Sequence, residues 1–364
     1  MGQADSLEWH ISRLLLIYNA AMLTAILSNP NSRHNQRHLA KVEKRLAEHA
    51  DIIHLVTNDL AELDDALSSL TAKGLTLLGI NGGDGTVQLA LTALLNGHAS
   101  RIPTLAVLPG GTTNMTALDI NGTHTSYAQA MERFINAAHL NQMLRDPLSK
   151  NTDSLRNDYR RILRVSMPDQ TPHYGMFFGM GAIISGIQYC HERIYRLGVR
   201  TEWAPGLAML RAVYGIVRRE PVFSDGVEIH LELDDVTRHS RASMLLVSTL
   251  DRLFLGIRPF WGEGDQPLKT TLVREKADRF LRAFPALLRG KPNRYLTPEA
   301  GFESFRLDSF NWQSPGNFTL DGEFYPGPTT TACLDTVGPL AFLNLGAEPE
   351  VIPAAQYRRE VVDV

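Results

Sequence analysis

Asn81-Gly82-Gly83-Asp84-Gly85-Thr86 packs three glycines, a carboxylate and a hydroxyl into six residues. The apolar run Gly74 to Ile80 before it reads as a buried strand, and Val87 to Leu95 after it reads as a helix. A glycine-dense turn between strand and helix is a phosphate cradle. Its backbone can approach an anion closely, and the amides at the helix start point at that anion. Asp84 inside the turn can hold a magnesium ion or orient a phosphate through one. The lysine of the Walker loop and the glycine spacing of the dinucleotide fingerprint are both missing.

A second turn, Pro109-Gly110-Gly111-Thr112-Thr113-Asn114, also follows a strand, Pro103 to Leu108. The Thr112 and Thr113 hydroxyls and the Asn114 amide can hydrogen-bond phosphate or base edges. Two such turns at successive strand ends would converge on one ligand. A third segment, Leu320-Asp321-Gly322-Glu323, lies far downstream. Gly322 permits a sharp bend that could present both carboxylates to a cleft. Asp-Gly is also a common hairpin signal, so a solvated turn is the competing reading.

These segments need elements to position them. From residue 22 short apolar strands alternate with helical spacing: Met22–Ser28, Gln36–Ala50, Ile52–Val56, Leu60–Leu70, then Tyr127–Ala138 after the second turn. Alternation of this kind implies a parallel sheet covered by helices, with ligands beyond the carboxyl ends of its strands. The polar stretch Asn141–Asp158 reads as a linker. Short strand-like runs follow from Arg161 to Leu334, interrupted by helices near Ser185–Leu197, Gly206–Arg218 and Ala277–Leu288, which suggests a β-sandwich. The expected division is a helical extension over 1–21, an α/β nucleotide domain over 22–140, a β-sandwich over 141–345 whose last strand could return to the first domain, and a tail over 346–364.

Bulk properties narrow the function. The 364 residues suffice for two cores, and a net charge of −3 excludes a nucleic-acid binder by charge alone. Two distant cysteines, Cys190 and Cys333, form no disulfide framework or zinc ribbon and suit a reducing compartment. The apolar run Leu14–Leu27 is shorter than the roughly 20 residues that span a bilayer. Only Arg13 is basic upstream of it, so it reads as a helix entering the first strand rather than a secretion signal. His34 and His38 have helical spacing but no acidic partner, and read as surface residues. Asn121-Gly122-Thr123 matches a glycosylation triplet that is idle without secretion.

Taken together, the three segments resemble the diacylglycerol kinase catalytic-domain family, which also includes sphingosine, ceramide and acylglycerol kinases. Gly82–Thr86 is similar to its GGDGT signature, Pro109–Asn114 to its P-x-G-T-x-N turn, and Leu320–Glu323 to its L-D-G-E segment. Asn29-Pro30 with Ser32 resembles its N-P-x-S-G opening, with Arg33 in place of the glycine. Thr57 falls where the family has a nucleotide-contacting threonine, and Gly175–Gly186 resembles the start of its second domain. The resemblance implies a kinase that uses ATP and Mg2+, with an α/β nucleotide domain and a β-sandwich lipid domain. Asp84 would assist metal and nucleotide binding, and Glu323 would be the base for the acceptor hydroxyl. Asn29, Thr57, Gly82, Gly83, Gly85, Thr86, Gly111, Thr112, Thr113, Asn114 and Asp321 would contact nucleotide in an interdomain cleft.

Two positions depart from the family. Met115 stands where members commonly have Asp. Leu255–Gly262 replaces an Asp-Gly-rich loop that holds a structural magnesium in bacterial members. The implied partner is a lipid hydroxyl in a membrane, reached from the cytoplasm as a peripheral protein, with no nucleic acid. Gly206–Arg219 and Ala277–Lys291, each an apolar stripe flanked by arginines, could dock on an anionic bilayer or pack on the sandwich. The alternatives are NAD kinase, which shares the GGDGT turn, and a lipid-binding module without turnover.

Overall fold

The computed structural model describes residues 22–57, 59–97, 101–122, 125–144, 154–189, 204–233 and 236–352. The expected N-terminal helix and Cys190 lie outside them. Four parallel strands open the chain: β1 (Leu23–Ser28), β2 (Ile52–Val56), β3 (Leu75–Gly82) and β4 (Thr104–Pro109). They pair in the order β2-β1-β3-β4. Alternate residues face opposite ways, as a pleated strand requires. Leu27, Leu78 and Ile80 pack on one side under α2 (Leu60–Ala72) and α3 (Asp84–Asn96). Ile26, Leu77, Ala106 and Leu108 pack on the other under α1 (Asn35–Leu46) and α5 (Tyr127–Met143). The short helix α4 (Met115–Asn121), absent from the sequence reading, follows the second glycine turn.

The polar stretch expected as a linker has structure at both ends. Asn141 belongs to α5, is buried, and donates to the Thr24 and Thr76 hydroxyls at 3.0 Å each. Two strands, β5 (Ser154–Leu155) and β6 (Asn157–Ser166), occupy its far end. Polarity misled here because the asparagine satisfies strand-edge groups inside the protein.

The strand-rich C-terminal half contains β7 (His173–Gly175), β8 (Phe177–Gly181), β9 (Val227–Leu233), β10 (Val236–Ser248), β11 (Leu268–Arg274), β12 (Phe302–Leu307), β13 (Phe310–Gln313), β14 (Phe318–Leu320), β15 (Glu323–Tyr325), β16 (Ala332–Leu343) and β17 (Val351–Ile352). β10 changes partner along its length, pairing β9 over 236–242 and β8 over 244–248. Phe178, Trp312 and Phe318 meet in the core with ring centroids 5.2–5.4 Å apart. β16 runs nine residues past the expected strand end at Leu334, because a bulge between Val337 and Leu340 accommodates Pro339. It pairs antiparallel with β6 and β13 and parallel with β4, so one ladder joins both halves. The result is a mixed sheet: α/β in the N-terminal part and strand-rich beyond it.

Among the described residues, the α-helices of the second half are α6 (Ala182–Tyr189), α7 (Ala204–Arg218), α8 (Pro221–Ser224) and α9 (Phe280–Arg289). No helix among the described residues is long and apolar enough to cross a membrane.

Gly79 sits where α5 presses on the sheet. A Cβ there would lie 2.7 Å from the buried Phe134 ring. Gly79→Val should therefore overpack the core and cost about 1–3 kcal/mol. A urea midpoint equal to that of the parent protein would contradict this packing.

Candidate active site

The floor of the site is a buried amide network at the carboxyl ends of β1 and β3. Strand carbonyls there run out of ladder partners and must be satisfied otherwise. Asn35 Nδ2 donates to the Asn29 and Asn81 carbonyls at 2.8 and 3.0 Å. Asn81 Nδ2 donates to Ser28 Oγ at 2.9 Å, and the Tyr127 hydroxyl donates to Asn81 Oδ1 at 3.1 Å. Burial pushes the Tyr127 phenol up. Asn29 Nδ2 reaches Thr86 Oγ1 at 3.0 Å, tying the first loop to the glycine turn.

The two glycine turns touch through their backbones. The Gly110 amide donates to the Gly82 carbonyl at 3.1 Å. A Cβ on Gly111 would lie 2.4 Å from Gly83 Cα, so neither position has room for a side chain. Gly82 is closed off by Thr86, whose side-chain atoms lie 2.3–2.7 Å from where its Cβ would stand. Gly83 caps α3 without a side chain, leaving the helix start open toward the cavity that Gly83, Asp84, Gly85 and Thr86 line. Asn114 adopts a left-handed conformation at φ 50° and turns inward. Its Oδ1 accepts from the Gly111 amide at 2.7 Å and its Nδ2 donates to the Gly111 carbonyl at 3.1 Å. Its amide thus braces the turn, where the sequence reading gave it to the ligand.

Two acids face each other beyond the turns. Asp84 is buried, and its oxygens accept the Met115 and Thr116 amides at 3.0 Å each, capping α4 from another element. Asp321 is buried too, and accepts the Met176 and Phe177 amides at 2.9 Å each. It occupies a two-residue hairpin turn with φ of 51° at Asp321 and 97° at Gly322, closed by the Leu320–Glu323 pair. Both sequence readings of this segment therefore hold in part: it is a hairpin turn, and it borders the cavity, with Asp321 buried and Glu323 exposed. Burial raises the Asp84 carboxyl. Burial and then the Asp84 charge raise Asp321 well above its usual range. Glu323 is exposed; a Cβ on Gly85 would lie 2.7 Å from Glu323 Oε1. Gln88 of α3 donates to the Tyr325 hydroxyl at 2.9 Å and pins the hairpin, while burial and then Glu323 push that phenol up to about 12.

One cavity of about 530 Å³ unites these groups. Asn29, Gly83, Asp84, Gly85, Thr86, Gly111, Thr112, Thr113, Asp321 and Glu323 line its polar mouth, with Arg33 beside them. Gly82 lies beneath the turn and Asn114 behind it, lining a second cavity of about 330 Å³ that also touches Thr112 and Thr113. Thr57 stands apart from both. Its hydroxyl donates to Glu62 at 2.7 Å and accepts the Asp59 amide at 3.0 Å, at the start of α2.

The apolar body of the cavity was missed in sequence. Met209, Val213 and Ile216 of α7 face Phe280, Phe284 and Leu288 of α9 across it. α9 buries Ala283, Ala286 and Leu287 against Val273 and Phe302 of the sheet, whereas α7 carries two apolar stripes. Leu207, Leu210, Tyr214 and Val217 form the outer one and are 43–59% exposed. That doubled stripe was the available signal. Arg211 is engaged by Glu220 at 2.6 Å, while Arg218 at the end of α7 and Arg219 just beyond it are exposed. Phe254, Ile257 and Pro259 also wall the cavity, so the segment that departs from the magnesium loop serves the apolar chamber. Met115 lines it as well. Asp119, also unread, ties α4 to the second half. It accepts the Asp251 and Arg252 amides at 3.1 and 3.0 Å and pairs with Arg160 at 3.3 Å. Asn121 is sequestered by the Val107 carbonyl at 2.7 Å and the Leu345 amide at 2.9 Å, unsuited to carry a glycan.

Residues 24–143 match the family model for the diacylglycerol kinase catalytic domain. Over these residues the chain is similar to the diacylglycerol kinase catalytic-domain family. Its domain thus contributes both glycine turns and Asp84, while Asp321 and Glu323 come from beyond the matched residues. A solved structure from Bacillus anthracis str. Sterne, described as a diacylglycerol kinase, shares 16% identity at a TM-score of 0.56, over 89% of this chain and 97% of its own. A second from the same organism, described as a candidate diacylglycerol kinase, gives a TM-score of 0.58 at 16% identity and the same coverage. At that identity they establish the fold. No curated protein matches the chain.

The paired acids set a pH dependence. A buried carboxyl raised above its ordinary 3.8 keeps its proton in the folded chain where the unfolded chain has released it. Stability from this source is full below that value and falls as pH rises toward the raised one. The melting temperature of metal-stripped protein relative to Asp321→Asn should therefore decline as pH rises above the ordinary carboxyl range. A pH-independent difference would show that neither burial nor the Asp84 charge raises the Asp321 carboxyl.

Proposed function

We propose that this protein is a lipid kinase that transfers the γ-phosphoryl group of ATP to a hydroxyl of a membrane lipid. The observation that carries the reading is the division of one cavity into a glycine-and-acid mouth and a long apolar body. Phosphate would lie against the bare backbone of Gly83 and Gly111 and the start of α3, all of which line the cavity mouth. Arg33 adds a cation at that mouth. The lipid chain would lie between α7 and α9, an environment that favours an acyl acceptor over NAD.

The donor set suits magnesium. Asp84 and Asp321 offer hard carboxylate oxygens with lone pairs beyond their amide bonds, in a place where two negative charges oppose each other. When bound, the ion would supply the positive charge that phosphoryl transfer requires. Glu323 accepts no hydrogen bond among the described residues, so its carboxylate is open to an incoming hydroxyl. As the lipid oxygen bonds to the γ-phosphorus and the bridge to the β-phosphate breaks, Glu323 would take the hydroxyl proton. Turnover on a lipid extract with γ-labelled ATP tests these roles. Asp84→Ala should abolish labelled lipid. Glu323→Gln should cut kcat by about 10²–10⁴-fold with nucleotide affinity retained. Parent rates in both variants, or no labelled lipid with the parent protein, would refute the assignment.

The outer stripe of α7, with Arg218 and Arg219 at its end, fits the surface of an anionic bilayer as a peripheral contact. Paired Leu207→Glu and Leu210→Glu changes should reduce co-sedimentation with anionic vesicles and raise KM for vesicle-borne lipid. They should spare turnover of a short-chain, water-soluble acceptor. Equal loss on both substrates would place α7 in the fold rather than at the membrane.

A further inference from the structure

At the opposite end of the parallel sheet from the cleft, His49, Asp51 and His139 bring three donor atoms within 4.8 Å of one another. His49 and Asp51 sit on the turn between α1 and β2. The turn is held by the His49 amide on the Leu46 carbonyl at 2.9 Å and the Ile52 amide on the His49 carbonyl at 3.0 Å. His139 projects from α5, next to the buried Ala138. The two imidazole rings are 5.1 Å apart, and His139 Nε2 is 3.9 Å from Asp51 Oδ2. That oxygen is buried and accepts no hydrogen bond. A buried carboxylate oxygen left unsatisfied is costly unless something positive meets it.

We propose that these three residues form a binding site for a zinc-type transition-metal ion that clamps the α1–β2 turn to α5. Two imidazoles and one carboxylate are the donor set such an ion prefers, whereas magnesium and calcium prefer oxygen alone. Metal–ligand bonds near 2.0–2.1 Å space tetrahedral donors about 3.3 Å apart. The three partly exposed side chains can close that gap by rotation, with solvent completing the shell. The other histidine pairs offer two donors each: His34 with His38, and His230 opposite His239 across β9 and β10. The site begins where β2 begins, so its role is to brace the sheet's base rather than to act on substrate. The binding energy then adds to folding energy.

Calorimetric titration of the metal-stripped full-length protein with zinc ions tests this, independently of any kinase activity. One zinc per chain should bind to the parent protein and raise its melting temperature. His49→Ala and His139→Ala should weaken that binding by more than about 100-fold, beyond what loss of an outer-shell partner costs. Asp84→Asn should bind as the parent does. His139→Gln, which keeps side-chain volume, guards against a folding defect and should lose zinc equally, with an unchanged circular dichroism spectrum. Absence of zinc binding in the parent overturns the proposal. So does undiminished binding in both His139 variants, or loss confined to Asp84→Asn, which would assign the ion to the cleft.

Discussion

Two carboxylates buried on facing walls of one cavity, Asp84 and Asp321, set the constraint that the rest of this structure serves. Like charges in a low-dielectric space repel strongly, and burial alone already penalises each of them. Four main-chain amides offset part of that cost. None comes from the turn that carries the acid it serves. Asp84 draws on the start of α4 and Asp321 on the start of β8, so each acid also locks a neighbouring element in place. The ladder through β16 and the contact of Gln88 with Tyr325 keep the two walls at fixed separation. An opposition held this firmly is one that a cation would relieve.

The glycines acquire their meaning from the same geometry. Gly83 and Gly111 lie where two strand ends come so close that backbone meets backbone. A side chain at Gly111 would force the two turns apart. Asn114, Asn35 and Asn81 spend their side-chain amides on the turns and hold them in shape. The helices of the second half divide labour in a similar way. α7 gives one apolar stripe to the cavity and another to the outside, so a chain bound within and a bilayer outside would meet across a single helix.

Much of this was legible in the residue order. The βα alternation, the two glycine turns at strand ends and the acidic hairpin all follow from local patterns, and local patterns act through neighbours in the chain. The polar stretch at Asn141 was not legible as structure. Its side chain is satisfied by Thr24 and Thr76, which are remote in sequence. Asn114 and Thr57 differ in that their polar groups are engaged by near neighbours in the chain, Gly111 and Glu62, through turn geometry that spacing alone does not reveal.

Sequence alone established the strand–turn–helix units, because glycine placement and hydrophobic period dictate the backbone within a few residues. It also identified which acids could act, since carboxylates beside bare backbone have few other uses. Only the folded chain decided that Asp84 and Asp321 confront each other, that Glu323 rests over Gly85, and that an apolar chamber opens behind them. Those relations join residues more than two hundred positions apart. They arise from sheet pairing and core packing, which no local spacing encodes.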